Sequence, residues 1–185
     1  MTPRLFGIIA AVLFICAPAF AQQSAAPAAS AAKTEANPIS TQLRETVADG
    51  ATNTIAAAEE MPADKYTFSP TPQQITFAHL IVHVTRANYG LCSGISGQAK
   101  PDVKIAEADG KDKLVAALKV SFDYCTTALA NLDDSKLGDS LPFFGGRTIS
   151  RGGMMMTLSA EYADHYSMAA MYLRLNGLLP PTAKK

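Results

Sequence analysis

Residues 76–92 read TFAHLIVHVTRANYGLC, and the placement of this stretch decides the fold. Together with Ile75, the side chains of Leu80, Val82, Val84 and Tyr89 make a helix here apolar over much of its circumference. A helix of that kind is enclosed by neighbours, so the stretch belongs inside a bundle and not on its surface. The spacing predicts a start near Thr71 or Pro72, proline being suited to a first helical turn, and an end at SGISGQAKPD, with its two glycines and a proline.

Three further helices are expected around it, and no strand candidate competes with them. The first runs from about Ser40, a fair N-cap, to Glu60, with Leu43, Val47, Ile55 and Ala58 near helical spacing and Gly50 weakening the middle. MPADKYTFSPTP then carries three prolines and reads as an extended connection. The third helix, from about Lys111 to Leu132, shows the stripe Leu114, Leu118, Phe122 or Ser121, Cys125 and Leu129. DDSKLGDSLPFFGGRTISRGG reads as a long loop, and the last helix runs from about Met154 to Asn176, closed by Gly177 and Pro180-Pro181. Four amphipathic helices without strands define an all-α antiparallel bundle.

The N-terminus has a different character. One cation, Arg4, precedes the apolar run Leu5 to Cys16, followed by Pro18 and the small residues Ala19 and Ala21. This is the layout of a cleaved signal peptide, residues 1–21. The run is shorter than the ~20 residues a spanning helix needs, so no stable membrane insertion is expected after cleavage. A lipid anchor at Cys16 is disfavoured by bulky Phe14 and Ile15. Residues 22–36, rich in Ala, Ser and Pro, lack large apolar side chains and read as a linker, leaving residues 37–181 as one domain. The expected location is periplasmic or secreted.

Without residues 1–21 the chain keeps fifteen Lys and Arg against sixteen Asp and Glu, a formal charge of −1. It has no basic tract and no cations interleaved with aromatics, so nucleic acid is not an expected partner. Cys92 and Cys125 remain. In an oxidising compartment two cysteines suggest a disulfide closing a loop of about 33 residues, and two separate buried thiols are the alternative.

Two pairs of side chains carry the candidate chemistry. Members of an i, i+4 pair lie on one helix face, and His79 with His83 is one such pair, Glu161 with His165 another. Two helices each presenting ligands inward is how bundles build metal sites. Imidazole and carboxylate suit zinc, nickel, manganese or iron. Core histidines are the plainer reading. The chain contains no HExxH, no P-loop lysine follows the glycine-rich FFGGRTISRGG, and the methionines of Met154-Met155-Met156 read as packing.

TFAHLIVHVTRANYGLCSGISG, LKVSFDYCTTAL and FFGGRTISRGGMMMTLSAEYADHYSMAAMYLRLNGLLPP resemble the DinB-like (DinB/YfiT) superfamily, with the likeness spread over residues 37–181. The resemblance implies a four-helix bundle of up-down-down-up topology with a long crossover. It also implies a divalent metal held by one histidine of helix two and an HxxxH pair on the last helix. His83 matches the first, His165 matches the second member of the pair, and Glu161 stands where the pair's first histidine is usual. His79, one turn away, is expected to be an additional ligand or a proton carrier.

Two functions follow as expectations. One is an exported metal-dependent hydrolase acting on an unidentified small molecule. The other is a non-catalytic bundle with a degenerate metal site that binds a small ligand or a protein partner. Relatives that use low-molecular-weight thiols work with cytosolic cofactors, which fits an exported chain poorly. A homodimer is compatible with the apolar positions left on helices one and three.

Overall fold

The structure, a computed structural model, describes residues 35–184. The expected signal peptide and nearly all of the expected linker lie outside the described residues. Four helices dominate: α1 (Pro38–Glu60), α2 (Phe77–Ser96), α3 (Lys111–Leu129) and α4 (Arg151–Leu175). Two short strands, β1 (Ser140–Pro142) and β2 (Thr148–Ser150), pair antiparallel with Leu141 opposite Ile149.

Directions follow from paired contacts. Asn88 of α2 meets Ser121 of α3, and four residues further along each helix Cys92 is bonded to Cys125, so α2 and α3 run parallel. Toward the other partner the order reverses: Ile75, just before α2, meets Tyr172, His83 meets Glu161, and Gly94 lies against Met154, so α2 and α4 run antiparallel. Arg44 donates to the Leu132 carbonyl while Lys119 pairs with Glu59, which sets α1 antiparallel to α3. The order is therefore up, down, down, up.

Parallel α2 and α3 require a connection that returns along the length of α2, about 30 Å at helical rise. Residues 97–110 make it. Gly97 leaves α2 in the left-handed conformation (φ 77°), which an L side chain adopts only with strain. The segment then lies back along α2, fixed by Arg86 donating to the Ile105 carbonyl (2.7 Å) and by Thr76 donating to Glu107 (2.9 Å). Ile105 is buried, which seats the crossover on the core.

Both ends of α1 are capped from far along the chain. The Asp134 carboxylate accepts from the Ile39 and Ser40 amides, and the Lys111 ammonium donates to the Glu59 and Met61 carbonyls. These contacts satisfy groups that a helix leaves open at its termini. Leu43, Val47, Gly50, Thr54, Ala57 and Ala58 form the buried stripe of α1. Gly50 is part of the packing: a Cβ there would sit 3.0 Å from the Tyr162 ring of α4.

Three expectations need correction. The helix of the opening stretch starts at Phe77, five residues or so beyond Thr71 or Pro72. Thr76 is its cap, accepting the His79 amide (3.0 Å), and the Phe77 and Ala78 amides bond to the Phe68 and Tyr66 carbonyls of the preceding connection. α4 starts earlier than Met154, because Ser150 accepts the Gly153 amide, and a Cβ at Gly153 would meet Ile149 at 2.8 Å. The segment before α4 also holds the β1–β2 hairpin, closed by the Phe143 amide on the Arg147 carbonyl (2.7 Å) around Gly145 and Gly146, both at positive φ.

Candidate metal centre

α2 and α4 face each other along most of their length, and a buried polar network fixes their register. Tyr162 donates to the Asn88 side-chain oxygen (3.0 Å), Asn88 donates to Ser121 (2.9 Å), and Ser121 donates to the Leu118 carbonyl (2.7 Å). All three side chains are buried. Burial, with the neighbouring Glu161 charge, pushes the Tyr162 phenol far above its usual range, so it stays a neutral donor.

Glu161, about 100° around α4 from Tyr162, meets α2 more than a turn before Asn88, at His83. His83 Nε2 lies 3.3 Å from one Glu161 oxygen, and His165 Nδ1 lies 3.1 Å from the same oxygen. The two imidazoles stack with centroids 4.5 Å apart. Donor atoms of His83, Glu161 and His165 all lie within 4.8 Å of one another. The set is graded in exposure, with His165 side chain 13 % exposed and His83 44 %. His165 Nδ1–H also donates to the Glu161 main-chain carbonyl (2.8 Å), so in the neutral ring the lone pair is on Nε2.

The donor set fits a divalent transition metal: two borderline imidazoles, one carboxylate, and a ligand ring oriented by a carbonyl through its second nitrogen. His79 takes a different place. Its Nδ1 donates to Glu107 of the crossover (2.7 Å), whose other oxygen accepts from Thr76 (2.9 Å). These hydrogen bonds, that of His79 foremost, hold the Glu107 carboxyl below the usual glutamate range. His79 thus stands outside the three-residue cluster, yet it lines a hollow together with His83. Nothing in the sequence AEADG marks Glu107 as a residue that folds back 28 positions to meet His79. Cys92 and Cys125 form a buried disulfide with Cα atoms 5.3 Å apart, so neither thiol can be a ligand.

An up-down-down-up helical bundle with a histidine and carboxylate cluster between its second and fourth helices defines the class of protein. The DinB superfamily model matches residues 47–169, and the chain belongs to that superfamily. Among solved structures, a DinB-like protein from Bacillus subtilis is similar at 18 % identity and a TM-score of 0.61, over 74 % of this chain and 92 % of that one. A DinB-like protein from Bacillus cereus is similar at 16 % identity and a TM-score of 0.65, over 76 % of this chain and 95 % of that one. A mutant of a mycothiol-dependent maleylpyruvate isomerase is similar at 15 % identity and a TM-score of 0.57, over 69 % of this chain and 59 % of that one. At these identities the likeness is one of fold. A comparison with curated proteins finds no match.

Proposed function

We propose that this chain is an exported metal-binding DinB domain whose His83, Glu161 and His165 hold a divalent metal, and that it hydrolyses a small molecule. The convergence of those three side chains from two helices is the observation that carries the reading. A divalent metal bound there supplies a Lewis acid that polarises a carbonyl or phosphoryl oxygen and acidifies water. Glu161 offsets the cation's charge, and the His165 bond to the Glu161 carbonyl keeps that ring oriented. His79, with Nδ1–H committed to Glu107, has Nε2 available to carry a proton at the edge of the same hollow. Export is supported by the buried disulfide, which suits an oxidising compartment, and among the described residues no helix is long and apolar enough to cross a membrane.

A second reading, a non-catalytic bundle with a degenerate site, is favoured by Glu161 reaching both imidazoles and so satisfying the cluster without an ion. Elemental analysis of the exported chain without a histidine tag separates the two. The metal reading expects near one equivalent of a transition metal, lost in His83→Ala. Zinc added to about a hundred times its Kd should then stabilise the wild type by about 2.7 kcal/mol, and EDTA should reverse this. A metal-free protein whose melting is indifferent to zinc, nickel, manganese and EDTA would refute it.

A further inference from the structure

The open side of α4 is as apolar as its buried side. Met156, Ala160, Ala163, Ser167, Met171 and Leu175 are all exposed, and at 100° per residue they fall within an arc of about 120°. The only charges exposed on α4 are Asp164 and Arg174, whereas the exposed residues of α3 include Asp112, Lys113, Lys119 and Asp123. Seven large apolar side chains are exposed among the described residues; Met156, Met171 and Leu175 stand on this arc and Ile39 beside it, while α3 exposes Val120 alone. A helix apolar all round is one that has neighbours all round.

The two ends of the arc differ in shape. At the Met156 end it runs into a hollow of about 280 Å³ between α1 and α4, lined by Ile39, Gln42, Leu43, Met155, Met156 and Ser159. At the other end, beyond Gly177, the chain folds back toward α1, held by Tyr166 donating to Thr182 and by Lys184 pairing with Glu60. Leu179 of that segment is 60 % exposed. Between the ends Ala160, Ala163 and Ser167 are small enough to let a second helix come close. The charges are arranged in the same sense. Arg174 at one end makes no ion pair among the described residues, and neither does exposed Asp49, which shares the α1 face of Gln42 toward the other end.

We propose that this face is a dimer interface, with α4 of one copy packed antiparallel on α4 of a second about a two-fold axis near residues 165–166. A two-fold contact must be complementary to itself, and this face is. The axis sets Met171 on the partner's Ala160, Asp164 opposite the partner's Ser167, and the Leu179 end against the partner's hollow, with Arg174 toward the partner's Asp49. Asp164 and its copy approach across the axis, which works against the pairing. The arc is about 28 Å long, and α4 with the edge of α1 is about 20 Å wide, so each copy covers roughly 600 Å². That lies at the lower limit of specific interfaces and corresponds to a reversible dimer with a Kd of the order of micromolar. Glu161 and His165 lie about 120° and 160° round α4 from Ser167, so the histidine cluster stays open and the pairing needs neither metal nor hydrolysis.

Sedimentation of the chain without a histidine tag, in EDTA and from about 1 to 300 µM, should show a reversible monomer–dimer equilibrium. Ala163→Glu and Met171→Glu alter exposed positions and should keep the far-ultraviolet circular dichroism of the wild type, yet each should weaken the dimer at least about tenfold. Asp164→Asn removes the repulsion at the axis and should tighten it about threefold. Val120→Glu, on the open side of α3, should leave it unmoved. A chain that is wholly monomeric at the highest concentration would overturn the second copy as the occupant of this face. A dimer indifferent to both α4 substitutions, or broken by Val120→Glu, would overturn the face itself.

Discussion

Opening the bond between Cys92 and Cys125 tests the arrangement of α2 and α3 directly. The cysteines stand 33 residues apart, and the bridge encloses the crossover and most of α3. In the chain-entropy account, closing a loop of that length removes about 12 cal/mol/K from the unfolded ensemble, or about 4 kcal/mol at room temperature. For a domain of this size each kcal/mol moves the melting temperature by roughly 2–4 °C, so full reduction should lower it by roughly 8–15 °C. Both sulfurs are buried, and reduction leaves them in place, so no cavity is added to that cost. The assay is thermal unfolding followed by far-ultraviolet circular dichroism, with and without a phosphine reductant, beside a thiol titration that confirms two free groups. The Cys92→Ala/Cys125→Ala variant should melt low in both conditions and ignore the reductant. Coincident curves for oxidised and fully reduced wild type would refute the reasoning, because they would mean that the bridge does not restrict the unfolded ensemble enough to stabilise the fold.

Two other outcomes are expected. Asn88→Ala removes the acceptor of Tyr162 and the donor to Ser121 inside a buried contact of three helices, and should cost about 2–4 kcal/mol in urea unfolding; a loss within experimental error would show that the network is not closed as described. Burial at Asp134 opposes ionisation, but hydrogen bonds from Ser40 and Ile39 and the nearby Arg44 charge outweigh it, so its carboxyl titrates below the usual aspartate range. Such a group stabilises the fold above the ordinary aspartate pKa of about 4, and that contribution is lost as pH falls through the depressed value. Melting temperatures taken from about pH 6 down to pH 2 should therefore fall more steeply in the wild type than in Asp134→Asn, and parallel curves would count against the cap.

The helices were legible because their apolar stripes repeat: Leu114, Leu118, Cys125 and Leu129 face the core as the spacing of α3 implies. Ends were harder, because they depend on partners elsewhere. Pro72 looks like a helix start in isolation, yet the amides that open α2 belong to Phe77 and Ala78, which find carbonyls in the preceding loop. Gly50 reads as a weak point by propensity, whereas its role is the close approach of Tyr162. The hairpin is not legible in the sequence, because three-residue strands leave no alternation. In the site, the helical pair Glu161 and His165 could be placed together from spacing, and the family likeness brought His83 to it. What joins His79 to Glu107, or Arg86 to the Ile105 carbonyl, is the return path of the crossover, and no local periodicity records that path.

The bridge also changes what a cut chain would be. The segment from Cys92 to Cys125, with the exposed residues Lys100, Asp102 and Lys104 on the crossover, is a closed covalent loop. A peptidase that cleaves there in extracellular surroundings opens the loop without dividing the molecule, since the two pieces remain joined at the buried sulfurs. The crossover side of the hollow lined by His79, His83 and Glu107 would loosen while α2 and α4 stay tethered and the histidine cluster keeps its frame. In a reducing compartment the same cut would leave α1 and α2 held to α3 and α4 by packing alone.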